Sequence, residues 1–316
     1  MKTKLLLSVL SIVLVAGCVG IDLGDLGGVT SAVGGGNGLE MTSFTAEPSP
    51  LFSGSSLRLI MEVENRGGTT VNNSEAMIYL TGSNFANWNC DQSTSTASYL
   101  FDSLGRDMKA EDIVRGIPAD IVRKTWTCNA PTVAAGQTRQ DTFIGRVYHE
   151  YSTSANGNVW VYTENEADAA RTAGRQLYTP SFTYTKGPVG LQVSVTPNPI
   201  IVYGSDKTFT LYVKISNLAS GTIYYPKSVT YTGTRDVNLT REEINNVSVT
   251  IGNVSGLNVG SGCTGPQELV AGRETTLVCT VNVTGNVDTF VSYNLPVTVE
   301  YGYYTERTAT VTVQGK

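Results

Sequence analysis

Three observations predict an all-β protein of two tandem β-sandwich domains with short helical insertions. Apolar residues recur at every second position in several segments, Gly, Pro and Asn punctuate those segments, and two distant stretches share one order of residues. Alternation with period two gives a strand one apolar face to bury against another layer. Many such strands between turn signals, with few long helical patterns, suggest sandwiches.

The matching stretches justify the first strands. Residues 46–68 read AEPSPLFSGSSLRLIMEVENRGG, and residues 195–221 read VTPNPIIVYGSDKTFTLYVKISNLASG. Each holds Pro-x-Pro, a glycine, an alternating strand, then Asn and Gly. Leu57, Leu59, Met61 and Val63 share one face; Phe209, Leu211, Val213 and Ile215 share the other copy's. Proline stops ladder pairing before the strand, and Asn or Gly supplies the positive φ of the turn after it. Segments 128–148 and 263–283 also align, Cys128 on Cys263, Pro131 on Pro266 and Gly136 on Gly272, before β-rich closing stretches at 159–184 and 297–313. Matches in the same order at two places indicate a tandem duplication. The domains are then 39–187 and 188–316, meeting at Lys186-Gly187-Pro188.

Two charged segments are helix-compatible. Residues 105–115 (GRDMKAEDIVR) precede the stop signals Gly116 and Pro118, and Thr240-Arg241-Glu242-Glu243 has capping-box spacing. Both read as small helices crossing between sheets, or alternatively as binding loops.

Ahead of the sandwiches, Lys2 and Lys4 precede the apolar run LLLSVLSIVLVA over residues 5–16. The run is shorter than the roughly 20 residues a bilayer core requires. After a basic start and before small residues it reads as a signal peptide, 1–17, with an uncleaved anchor as the alternative. Eight glycines fall between Gly20 and Gly38. Segment 18–38 is therefore a flexible tether, spanning roughly 25 Å.

Charge narrows the partners. Loss of Lys2 and Lys4 with the leader takes 22 basic residues to 20 against 27 acidic ones, a net of −7. No basic run is present, so nucleic acid is not an expected partner. Beyond Cys18 the cysteines are Cys90, Cys128, Cys263 and Cys279, an even number suited to disulfides in an exported chain. Pairing within domains gives Cys90–Cys128 and Cys263–Cys279, because a bridge between domains needs matched geometry across their boundary. Asn-x-Ser/Thr sequons stand at Asn72, Asn238, Asn246, Asn253 and Asn282, candidate glycosylation sites.

Catalytic chemistry finds little support. His149 is the single histidine and is read as a surface residue of a strand, with no Gly-x-Ser-x-Gly elbow in the chain. Asp102, Asp107, Glu111 and Asp112 cluster in sequence but lack the Asp-x-Asp-x-Asp-Gly spacing of a calcium loop, so a solvated face is the favoured reading. Tyrosines at 224, 225, 301, 303 and 304 suit sheet faces as well as sugar or protein contacts. No catalytic residue, metal site or cofactor is expected.

Val15-Ala16-Gly17-Cys18 directly follows the apolar run and resembles the lipobox of prokaryotic lipoproteins. The resemblance implies cleavage before Cys18, a diacylglyceryl group on its sulfur, and an extracytoplasmic protein held to the membrane. Two acyl chains matter, since one gives only marginal binding. The Pro-x-Pro, Gly, alternating strand, Asn-x-Gly order resembles the adhesion-related immunoglobulin-like domains of prokaryotic surface proteins. Together the resemblances imply a structural or adhesive envelope component that binds another envelope protein or a glycan without catalysis. A lipoprotein binding solute or glycan for a transporter or glycan-processing system is the alternative, and a surface hydrolase the third.

Overall fold

The computed structural model describes residues 38–90, 98–231 and 237–316. The expected signal peptide, Cys18 and nearly all of the tether lie outside these residues. The first half runs through β1 (Leu39–Glu47), β2 (Leu51–Phe52), β3 (Ser56–Asn65), β4 (Ala76–Thr81), β5 (Leu100–Ser103), β6 (Ile121–Asn129), β7 (Thr138–Thr163) and β8 (Ser181–Tyr184), with helices α1 (Phe85–Trp88) and α2 (Glu164–Thr172). The second half runs through β9 (Val189–Thr196), β10 (Ile200–Val202), β11 (Thr208–Asn217), β12 (Thr222–Tyr224), β13 (Asn246–Ile251), β14 (Leu257–Val259), β15 (Gly265–Glu268), β16 (Glu274–Val283) and β17 (Phe290–Gln314). The fold is all-β, with mainly antiparallel sheets layered in the manner of immunoglobulin-like sandwiches.

β7 and β17 form the spine. All 25 residues of β17 pair antiparallel with β7, Tyr301 opposite Tyr151. Odd-numbered side chains of both strands, among them Phe143, Val147, Tyr151, Val159, Val297, Tyr301 and Val311, are buried on one face. Sheet β1-β3-β6 from the first half packs there, with Met61 and Phe44 against Gly145. Sheet β14-β16-β11-β9 from the second half reaches the same face, where Val189 N donates to the Tyr301 hydroxyl. The boundary at 187/188 therefore separates two sequence copies whose longest strands share one sheet. The described residues belong to one compact unit.

The two halves correspond at the asparagines that end their matching strands. Asn65 closes β3 and donates from Nδ2 to Thr69 O and Met108 O, while its Oδ1 accepts from Gly67 N. Asn217 closes β11 and donates to Gly221 O and Gly272 O, while its Oδ1 accepts from Ala219 N. The second expected alignment is corrected. β6 pairs with β3 through Cys128 opposite Leu57, and β16 pairs with β11 through Val281 opposite Phe209. Thus β16 matches β6, Cys128 stands where Val281 does, and segment 263–283 is not the counterpart of 128–148.

Neither expected helix forms. Residues 105–115 become an irregular hairpin, because Met108 and Leu104 are drawn into the core and Gly105 and Gly116 adopt φ +84° and +66°. Thr240–Glu243 makes a single turn, in which Glu243 Oε2 accepts from Thr240 N and Oγ1, before Asn245 at φ +63° leads into β13. The helix that does form, α2, starts at Thr163, whose hydroxyl accepts from Glu166 N. Thr163-Glu164-Asn165-Glu166 carries the same box spacing.

Candidate functional site

Even-numbered residues of the spine face away from the small sheets. There a second apolar cluster forms from Met77, Tyr79, Tyr148, Tyr224 and Val229, with Tyr231, Val237, Leu239 and Tyr304 packed against it. Beside it a cavity of about 420 Å³ opens, floored by Glu150, Tyr151 and Ser152. Its walls are Thr69, Thr70 and Glu75 from the first half and Pro226, Lys227, Val229, Tyr231 and Glu300 from the second.

Strand pairing explains why a cavity lies here. On the outer edge of β7, β4 pairs as far as His149 and β8 joins at Ala155. Residues 150–153 of that edge lie between them. In the second half the matching edge of β17, residues 302–304, is filled by β12. Residues 70–72 hold the place of β12 in the first half, but Val71 exchanges both backbone bonds with Met108 instead, at 3.0 and 2.8 Å. The edge is left to the cavity.

Glu150 is the central polar group. Its Oε1 accepts from Lys227 N at 2.7 Å and from the Tyr231 hydroxyl at 3.1 Å. With the Tyr231 proton on Glu150, the 2.6 Å contact between the two hydroxyls is donated by Tyr224, which has His149 O at 3.3 Å as its alternative acceptor. Burial raises the Glu150 pKa, opposed by the two donated bonds, and Glu75 adds to the rise. Burial also raises the phenols of Tyr224 and Tyr231, which therefore stay protonated donors. Three carboxylates against one ammonium make the cavity acidic, with Val229 and Pro226 as its apolar wall. Such a site can accept hydrogen bonds from amines or hydroxyls.

Other candidates fall elsewhere. Both expected disulfides are present, Cys90–Cys128 and Cys263–Cys279, closing separations of 38 and 16 residues. His149 is fully buried on the opposite face of β7, not at the surface. Its Nε2 accepts from Leu39 N at 3.1 Å, and burial lowers its pKa to about 3. Its place follows from strand phase, since it shares a face with Phe143 and Val147. The four acidic residues of the first half do not converge: Asp102 faces Lys124 at 3.5 Å, Asp107 accepts from Asn73 N, Asp112 faces Arg115, and Glu111 is exposed. Among the described residues no acidic, His or Cys group has the arrangement of a metal site. Asn72, Asn238, Asn253 and Asn282 are exposed, whereas Asn246 is half-buried and donates to Glu242 O. Glu150, Lys227 and Tyr231 were not among the expected site residues. Only the outward phase of Glu150 was available as a signal.

No protein-family model matches the chain, and no curated protein does either. Among solved structures, it is similar to native Escherichia coli alpha-2-macroglobulin at 11% identity and TM-score 0.21, covering 88% of this chain and 17% of that one. The chain thus spans about a sixth of that protein's length. The Enterococcus faecalis MSCRAMM ACE is similar at 7% identity and TM-score 0.16, covering 87% of this chain and 95% of that one.

Proposed function

We propose that the protein is an extracytoplasmic, membrane-tethered component of a prokaryotic cell envelope, structural or adhesive in role, working by binding without catalysis. The observation that carries this reading is the β7–β17 ladder. A sheet joined over 25 residues transmits force along its strands and leaves no hinge between the halves. The two disulfides support an oxidising compartment. The sole histidine, held by Leu39 N in the core, is not placed to activate a nucleophile. Lipid at Cys18 supplies the attachment, and the partner is another envelope protein or a glycan. Crosslinking in the native envelope followed by capture tests the partner: a single enriched protein or glycan is expected, and none would defeat the adhesive role. Intact mass of membrane-extracted protein tests the anchor: the chain should begin at Cys18 with added acyl mass.

The cavity at Glu150 favours a second reading, a lipoprotein that binds a small solute or sugar. Its acidic lining suits an amine-bearing ligand. A thermal-shift screen with amines and amino sugars should then find stabilisers of the wild type that no longer act on Glu150→Gln.

A further inference from the structure

Residues 109–120 form a narrow hairpin whose tip is apolar and open to solvent. Its rungs are Lys109 with Asp120, whose backbone bond is 3.0 Å, and Asp112 with Ile117, which exchange bonds of 2.9 and 3.0 Å. At the tip Arg115 N donates to Asp112 Oδ1 at 3.1 Å, and Gly116 turns at φ +66°. This fixes Ile113, Val114 and Ile117 outward at 70%, 97% and 51% exposure, with Ile121 at the base at 54%. No other described segment exposes four aliphatic residues so close together. Exposed apolar clusters of this kind mark contact sites.

Where the tether enters indicates what covers the tip. Leu39 and Ile121 both lie at the same end of sheet β1-β3-β6, Leu39 opposite Asn65 and Ile121 opposite Glu64. Arg66 N donates to Gly38 O, and the preceding Asn65 N donates to Asp120 O at the hairpin's base. The chain from Cys18 therefore arrives beside the hairpin. Only about twenty residues separate Cys18 from Gly38, so the tether expected from the sequence would keep this end near whatever holds Cys18. Asp112 pairs with Arg115 and Asp120 with Arg106, both at 3.7 Å, and the exposed Lys109 and Glu111 are opposite in sign, so the hairpin carries no excess of positive charge. That leaves apolar contact as the available attraction.

We propose that the 109–120 hairpin is a second membrane contact, its Ile113–Val114–Ile117 tip entering the acyl boundary of the bilayer to which Cys18 is anchored. This rests on the anchored reading given above. Two contacts fix the body's orientation on the membrane where the tether alone would not. Weak insertion suffices, because the tether holds the tip at high local concentration. Being apolar, the contact should be insensitive to salt.

The test uses the chain from Cys18 onward, coupled through that thiol to a maleimide phospholipid in phosphatidylcholine–phosphatidylglycerol vesicles. The two disulfides leave Cys18 as the one free thiol. In Val114→Trp, acyl-brominated lipids should quench the added fluorescence by roughly half or more, in low and high salt alike. Val278→Trp, at a 64% exposed site on β16, is the control and should be unquenched. Adding Ile113→Asp and Ile117→Asp should abolish the quenching while thermal unfolding stays unchanged. Equal quenching at 114 and 278 would overturn the proposal, as would capture of an envelope protein by the tip in place of quenching. The lipid is attached chemically, so failure here is distinct from failure of cellular lipidation, which intact mass reads.

Discussion

In the first half the amide that opens β1, Leu39 N, is taken up by His149 Nε2; in the second half the amide that opens β9, Val189 N, is taken up by the Tyr301 hydroxyl. Two residues on, Tyr151 accepts from Gly68 N and Thr69 N, and Tyr303 accepts from Gly221 N. One pair of acceptors per half seats the first strand and the Asn-closed loop. The two halves share these positions and differ in their chemistry. An imidazole can be protonated and lose its acceptor; a buried phenol, whose pKa is raised, cannot lose its acceptor at acid pH. The same comparison explains the cavity. At matching positions stand Glu150 and Gly302, and the absence of a side chain at Gly302 admits the Tyr224 ring. β12 closes the edge at Gly302, while the matching edge at Glu150 is left open as the cavity floor.

The largest expected effect is an acid sensitivity that originates in the first half, at His149. The folded pKa of His149 is about 3 against an ordinary 6.5, so its contribution is present above pH 6.5 and is lost as pH falls toward 3. The slope is about 1.4 kcal/mol per pH unit, reaching about 4–5 kcal/mol in total. His149→Gln keeps an acceptor for Leu39 N and should flatten this part of the profile in denaturant titrations from pH 7 to 4. An unchanged slope would place the acid response elsewhere.

Next come the disulfides, which staple the halves over different loops. By chain entropy, loss of Cys90–Cys128 should cost about 4 kcal/mol and loss of Cys263–Cys279 about 3 kcal/mol. Paired Cys→Ala variants measured by chemical unfolding give the order, and a reversal would show that strain or residual structure outweighs loop length.

Asn65 and Asn217 sharpen the comparison further. Asn65 is fully buried and Asn217 only partly. Replacement by Ala should cost about 2–3 kcal/mol at 65 and about 1 kcal/mol at 217, because only the former strands its carbonyl partners away from water. Smallest is Glu150→Gln, at about 1 kcal/mol or less, since the carboxylate is half-exposed and screened. Its raised pKa means a contribution present below the ordinary carboxylate range and lost as pH rises through the folded value. The variant should remove that decline.

Strand identity was legible from alternation. Leu57 to Val63 and Phe209 to Ile215 lie in β3 and β11 with their apolar faces buried as expected. The disulfides were legible because four cysteines in two copies leave one arrangement that does not cross between them. Alternation names a face, however, and not a neighbour. Nothing in residues 138–163 states that their partner is 290–314, so the spine stayed hidden. His149 shares its phase with Val147, so alternation places it inward, whereas its polar side chain alone points to the surface. Capping-box spacing was present at both 163–166 and 240–243, and only the copy followed by Ala167, Ala169 and Ala170 makes a helix. Glu150 reaches its cavity partners across more than seventy residues, beyond any local pattern.

β2 and β10 carry a consequence for how the molecule is made. β2 lies parallel to β17, Leu51 opposite Val313, and β10 lies parallel to β7, Ile200 opposite Val161. Each copy thus lends a short strand to the edge of the other's long one. The first-half strand at Leu51 waits for a partner at Val313, far downstream in the chain. Nascent chain emerging N-terminus first cannot settle one copy and then the other; its native order closes only after residue 313 is delivered. Such distant pairing makes for slow maturation. A truncation lacking residues 305–316 should leave the N-terminal copy protease-sensitive although every residue of that copy is intact.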